Sequence, residues 1–293
     1  MHGLGFVTQV MNMLEKVTLG KHYFKIAMLF RESIFLNGIL TNASSWHGLS
    51  PTHISQLESV DKLLIRQILN TPMSTPVEAL FLELGIVSIG TVIKAARVNY
   101  LHYLATRDES EMLYKVFIAQ WNRPVKNDWS VTVKQDLRDL QIEESLTFIR
   151  SKSSDSFKMY VKSKTLEYEF VRLMKLKGRE NRSKMNDLSY SKLEMQNYLN
   201  LENINKRGAQ TLFKYRVRMA NYGENFRGGP NPVSCPLCKN HLDNQKMAFE
   251  NCQILSQNVT ISGEYTSIFS SSVNSEVVRS LQNMDKFREE TLQ

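Results

Sequence analysis

A mainly α-helical fold is predicted for this 293-residue chain, and three observations predict it. Apolar residues recur at three- and four-residue spacing through the first half. Helix start and stop signals bracket those runs. Only one short stretch, VTISGEY around Ser262-Gly263, has an extended pattern. The expectation is a multi-helix bundle followed by a small cysteine-bearing segment, with little β.

The elements follow in order. MHGLGFVTQVMNMLEKV places Phe6, Val10, Met13, Leu14 and Val17 on one helical face. HYFKIAMLFRESIFLNGIL is apolar nearly all round, the mark of a helix buried in a core. Ser50-Pro51 opens the next helix with a cap and then a proline, Ile54, Leu57, Val60, Leu64 and Ile68 form its stripe, and Asn70-Thr71-Pro72 stops it. In STPVEALFLELG, Thr75 and Glu78 make a capping box, Pro76 takes the first helical position and Gly85 suits the C-terminal cap. Ile89, Ile93, Ala96, Tyr100 and Leu104 stripe a further helix. SEMLYKVFIAQW is another, closed by Pro124, and a shorter one after Asp128 carries Val133, Leu137 and Leu140. The polar SKSSDS then connects two sub-domains.

Beyond that connection the chain is helical and basic. Arg150 to Arg227 holds eighteen Lys and Arg against eight Asp and Glu, so this window exceeds the whole net charge of +8. INKRGAQTLFKYRVRMANY sets Arg207, Lys214 and Arg218 on one face and Leu212, Val217 and Ala220 on another. ENFRGGPNP is a linker, and SEVVRSLQNMDKFREE a last, frayed helix. The divisions expected are 1–142, helical; 143–229, basic and helical; 230–256, the Cys/His segment; and 257–293, an extended pair and terminal helix. A sequence pI near 9.3 favours an anionic partner, nucleic acid first. The start does not read as a signal peptide and no run approaches a membrane span. Three cysteines cannot all pair, which suits a reducing compartment and metal binding.

All three cysteines fall in CPLCKNHLDNQKMAFENC. A C-P-x-C turn pre-places Cys235 and Cys238 on one side of an ion, and Cys252 returns across a short loop. Tetrahedral Zn2+ wants a fourth ligand. His241 is the local candidate, because Met247 stands where a histidine a few residues before the last cysteine would serve, and a thioether is a poor zinc ligand. The alternative is a metal-free loop of reduced thiols.

The stretches HYFKIAMLFRESIFLNGILTNASSWHGL, QLESVDKLLIRQIL, STPVEALFLELG and IGTVIKAARVNYLHYL resemble the region after the catalytic palm in reverse transcriptases of non-LTR (LINE-type) retrotransposons. FKYRVRMANYGENFRGG followed by CPLCKNHLDNQ is similar to their cysteine/histidine segment. The resemblance implies a thumb/connector bundle with a zinc-knuckle-like end, gripping template–primer RNA or DNA by its backbone, a catalytic palm as partner, and a nuclear setting. The family's polymerase centre needs an Asp-Asp pair to clamp two metal ions. No Asp-Asp pair occurs here, so the chain is expected to be a piece without polymerase activity of its own.

Nucleic-acid contacts are assigned to Lys175, Lys177, Arg179, Arg207, Lys214, Arg216 and Arg218, which would neutralise phosphate. Lys94, Arg97, Tyr100 and Tyr103 are weaker candidates for phosphate or base. Trp46, Trp121 and Trp129 are packing residues. None of the six histidines pairs with a nucleophile at a recognised spacing. A different class of reading is a helical protein-interaction piece, or a transposon relic, with apolar surface exposed on the first two helices where a palm would dock.

Overall fold

The computed structural model describes residues 2–16, 22–178, 185, 187–225, 234–270 and 273–292, without the side chains of 2–4, 6 and 16. Phe6, Val17, Arg179 and the linker glycines Gly228 and Gly229 therefore lie outside what is described. The fold is all-helical. Among the described residues the only extended pairings are two isolated antiparallel bridges, Leu84 with Met195 and Ser234 with Leu242.

Helix α1 (His2–Lys16) buries Val7, Val10 and Leu14. Helix α2 (Tyr23–Phe30) runs through a π-helical turn, Arg31–Leu36, into the short α3 (Asn37–Ile39), and this segment buries Tyr23, Phe24, Ala27, Met28, Phe35 and Leu36. The apolar surface expected on these helices is thus largely spent inside the core. Helix α4 (Pro51–Leu69) starts as its sequence dictates: Ser50 accepts from the His53 N–H at 3.3 Å and Pro51 takes the first position. Asn70 ends it in the left-handed conformation at φ 51°.

Helix α5 (Val77–Leu84) ends at Gly85 as predicted, with φ +65°. A Cβ there would lie 2.2 Å from the Glu194–Met195 backbone, so the chain crossing outside α5 requires glycine. The capping box at its start does not form. Pro76 is the N-cap and has no side-chain acceptor to offer, while Thr75 is buried and its carbonyl takes the Arg66 guanidinium at 3.2 Å.

Helix α6 (Ile89–Ala105) and the 24-residue α10 (Ser154–Lys177) pack along each other and tie two cores together. The first core gathers α1 to α5, Ile89 and Ile93 of α6, Leu173 of α10 and nearly everything apolar beyond residue 185. The second gathers Val98, Leu101 and Leu104 of α6 with α7 (Met112–Asn122), α8 (Trp129–Asp139), α9 (Leu146–Arg150) and Phe157 and Val161 of α10. The predicted connection at SKSSDS is consequently short: Ser153 caps α10, accepting from the Ser156 N–H at 3.3 Å. Trp121 and Trp129 are buried as predicted, and Trp129 Nε1 donates to the Ser44 carbonyl at 2.8 Å.

Helix α11 (Lys206–Arg216) lies against the terminal helix α14 (Ser275–Leu292). A Cβ on Gly208 would come within 2.9 Å of Val278, so the missing side chain is what lets the two approach. Helix α14 carries Val277, Val278, Leu281 and Met284 into the core, which is why it is a firm element rather than a frayed one. The extended pair expected in VTISGEY is absent among the described residues. Ser262 N–H instead bonds Ser280 of α14 at 2.9 Å, Gly263 takes φ +84°, and Tyr265–Phe269 forms a 3₁₀ turn. Packing on α14 overrides the local pattern.

Buried ion pairs hold the elements in register. Arg31 forks onto Asp61 at 2.6 and 2.8 Å and reaches the Val87 carbonyl at 3.0 Å, which locks the π-helical turn to α4. Glu169 of α10 accepts from the Ser88 N–H at 3.1 Å and Thr91 Oγ1 at 2.6 Å, capping α6 from another helix. Arg97 forks onto Asp136 at 2.6 and 2.9 Å. Arg216 meets Glu83 at 3.1 Å. Charges this deep are tolerated only when paired and hydrogen-bonded, as all of these are.

Candidate metal centre and basic surface

Cys235, Cys238 and Cys252 come together with all three Sγ atoms within 4.8 Å of one another. Thiolates on a tetrahedral Zn2+ at about 2.3 Å stand roughly 3.8 Å apart, so small side-chain adjustments suffice to meet around one ion. The knuckle is built by its backbone. Lys239 takes φ +56°, its N–H returns to the Cys235 carbonyl at 2.9 Å, and Cys235 N–H reaches the His241 carbonyl at 2.7 Å. Cys252 follows α12 (Gln245–Asn251), which Asn244 caps through the Met247 N–H at 2.7 Å, and opens α13 (Gln253–Asn258).

The thiols differ in character. Burial opposes ionisation of Cys238, but the N–H groups of Asn240 and His241 and the other two thiols hold its pKa below the ordinary value. Burial pushes Cys252 up to about 11, against the Leu255 N–H. Amide donors aimed at sulfur favour the thiolate, the form that binds a metal.

His241 is not in the cluster. Its backbone is pinned at the knuckle, but among the described residues the ligand atoms that converge are the three sulfurs. Residues 226–233, which lie outside what is described, contain no His, Cys, Asp or Glu. The three thiols thus converge by themselves, and the expected fourth ligand, His241, stands outside that group.

The cluster is tied to α11 and α14 by residues that the spacing does not signal. Asp243 accepts from the Gly223 N–H at 2.7 Å and from Arg288 at 2.9 Å. Arg288 lies 4.2 Å above the Tyr222 ring; burial opposes its charge, while Tyr222, Asp243 and, least, Cys235 favour it. Tyr215 bonds both Tyr222, at 2.8 Å, and Asp285, at 2.7 Å.

Burial pushes the Asp285 carboxyl up to about 6, against the Tyr215 hydroxyl, Lys214 and Arg288. The folded chain therefore keeps a proton that the unfolded chain has already released. This stabilisation is full below about pH 4 and lost as pH rises through about 6. Asp285→Asn keeps the acceptor and removes the titration. Relative to the parent, it should gain on the order of 2 kcal/mol at about pH 8 and nothing at about pH 4 in urea unfolding. An unchanged pH dependence would contradict this.

The basic candidates divide. Lys175 and Arg207 are exposed and Lys177 is half-buried, with both lysines in the last turn of α10 where they also favour the helix dipole. Lys214 is half-buried near Asp285. Arg218 is not on a helix face at all: α11 ends at Arg216, and Arg218 takes φ 51° and pairs with Asp187. Arg216, 1% exposed, is removed from the phosphate set, since its guanidinium is consumed by Glu83 and by the Ile268 carbonyl at 2.7 Å. Lys94 and Arg97 are likewise engaged, by Asp139 and Asp136. Compared with known proteins, the chain matches no family model, no curated protein and no solved structure.

Proposed function

We propose that this chain is a nucleic-acid-binding module of the thumb/connector kind, with a Zn2+-organised knuckle at its C-terminal end and no polymerase activity of its own. One observation carries the reading. The four deeply buried pairs, Arg31–Asp61, Arg97–Asp136, Arg216–Glu83 and Arg288–Asp243, are each neutral, so the whole excess of +8 lies outside them. Exposed Lys158, Lys162, Lys175 and Arg207 belong to that excess. A surface of this kind neutralises phosphate without reading sequence, and it suits an RNA or DNA duplex. The resemblance to the post-palm region of non-LTR reverse transcriptases supports the same reading, with a separate catalytic palm as protein partner and the nucleus as the setting.

Binding to a mixed-sequence duplex should weaken linearly as log salt rises. Joint replacement of Lys175, Lys177 and Arg207 by Gln should reduce the slope by about 0.9 for each phosphate that is no longer neutralised. Affinity that is flat in salt would remove the reading.

A second reading, protein docking, is favoured by one specific feature. Met112 and Val116 of α7 are 75% and 58% exposed, one turn apart and beside the exposed Leu113. Apolar side chains grouped on one helix face in this way suit a protein partner.

A further inference from the structure

Three thiols gathered at one point have a chemistry of their own besides metal binding. Cys235 and Cys252 are each 3% exposed, whereas Cys238 is half-buried, so Cys238 is the sulfur that a small solute reaches first. It is also the hub of the cluster. Its side chain makes hydrogen bonds with both other thiols, and the N–H groups of Asn240 and His241 point at its sulfur. A reachable sulfur with a second thiol in contact is the arrangement of redox-sensitive cysteines.

The turn supplies the second thiol. Cys235 and Cys238 share one hydrogen-bonded turn, closed by the Lys239 N–H on the Cys235 carbonyl at 2.9 Å. A turn of this length brings its first and fourth Cα atoms within about 7 Å, and a disulfide needs about 4.4–6.8 Å. Cys252 is fixed between α12 and α13, and the Cys235–Cys238 pair closes without moving either helix. The chain has no other cysteine, so no distant thiol competes.

We propose that Cys238 is a site of oxidation by hydroperoxides, closed by Cys235 into a disulfide that releases the metal. The Cys238 sulfur attacks the terminal oxygen of ROOH. The S–O bond forms, the O–O bond breaks and RO− leaves. The Cys235 sulfur then attacks the sulfenic acid, which forms the S–S bond and expels hydroxide. Two thiolates give up two electrons, and the peroxide takes them as RO− and OH−. Cys252 stays a thiol, and one sulfur does not hold Zn2+. The release rests on the Zn2+ knuckle proposed above; the disulfide does not.

The test treats the full chain, zinc-loaded and zinc-free, with hydrogen peroxide and follows free thiols, mass and released Zn2+. The expected result is loss of two of the three thiols and a Cys235–Cys238 link in peptide mapping. The zinc-loaded chain should release its ion in step, and dithiothreitol should restore all three thiols. Zinc-free Cys252→Ser should still form the link and Cys238→Ser should not; the parent chain decides the matter even where a variant fails to fold. Zinc retained and all thiols intact, at a peroxide concentration that oxidises free glutathione, would overturn the proposal and leave the metal reading standing. The link formed in a chain that binds no zinc would uphold the oxidation site and overturn the metal reading. Irreversible oxidation of Cys238 without a link, or a link from Cys238 to Cys252, would overturn the pairing proposed here.

Discussion

Replacing Arg216 by Met is expected to cost about 3–5 kcal/mol of folding stability. The guanidinium joins three parts of the chain: it pairs with Glu83 at 3.1 Å and donates to the Ile268 carbonyl at 2.7 Å and the Ser270 carbonyl at 3.2 Å. It also lies 5.1 Å from the Tyr198 ring centroid. Removing it leaves Glu83, which is 0% exposed, without a cation among the described residues and facing the Tyr190 hydroxyl at 2.6 Å. Burial and the Glu83 charge together hold the Tyr190 and Tyr198 phenols protonated, well above their ordinary range, so they remain neutral and add no second negative charge. A Glu83→Leu/Arg216→Met double variant removes both charges and should recover most of the loss, because the uncompensated charge is the main penalty. Urea unfolding measures all three. A cost below about 1 kcal/mol for the single variant would place Arg216 at the surface and return it to the phosphate-binding set.

The second large effect concerns the cysteines. The purified chain should bind one Zn2+ ion, and each of Cys235→Ser, Cys238→Ser and Cys252→Ser should abolish stoichiometric binding. Chelation should loosen the segment from Ser234 to Asn258, read as faster amide exchange there than in α4 or α6. Structural zinc supplies folding free energy on the scale of about 10 kcal/mol in small modules, and here part of it would be shared with the pre-packed core. Because the ion displaces thiol protons, affinity should fall as pH is lowered. His241→Ala is the informative variant. With the imidazole outside the cluster, affinity should stay within about tenfold of the parent. Complete loss of zinc with that substitution would mean that the ring turns in to complete the site.

How much of this fold is legible in the sequence depends on how far apart the interacting residues are. Ser50, Pro51, Asn70 and Gly85 are readable as helix ends because caps act within a few residues of themselves. The Cys-Pro-x-Cys knuckle is readable for the same reason. VTISGEY misleads because its pattern is short and its packing against α14 decides its backbone. The face of Arg207, Lys214 and Arg218 expected from helical spacing loses Arg218, because α11 stops at Arg216 and the chain turns off to follow the core. Glu83 and Arg31 do carry a signal: each is a charge inside a largely apolar run, shared with Glu78 in one case and with Lys25 and Glu32 in the other, and a charge buried with such a run must find a partner.

The amino-acid sequence by itself determined the all-helical class, most helix ends, the grouping of three cysteines near the C-terminus and the excess of positive charge. These follow from spacing, capping and composition, which act locally or as sums. Only the tertiary structure decided which charges remain available. Arg216 finds Glu83 across 133 residues and Arg97 finds Asp136 across 39, and no local pattern encodes such meetings. It also decided that the three thiols converge without His241 and that Cys238 is the least buried of them. A buried charge must be neutralised wherever the fold brings a partner, so the surface chemistry of a basic chain is what the interior leaves over.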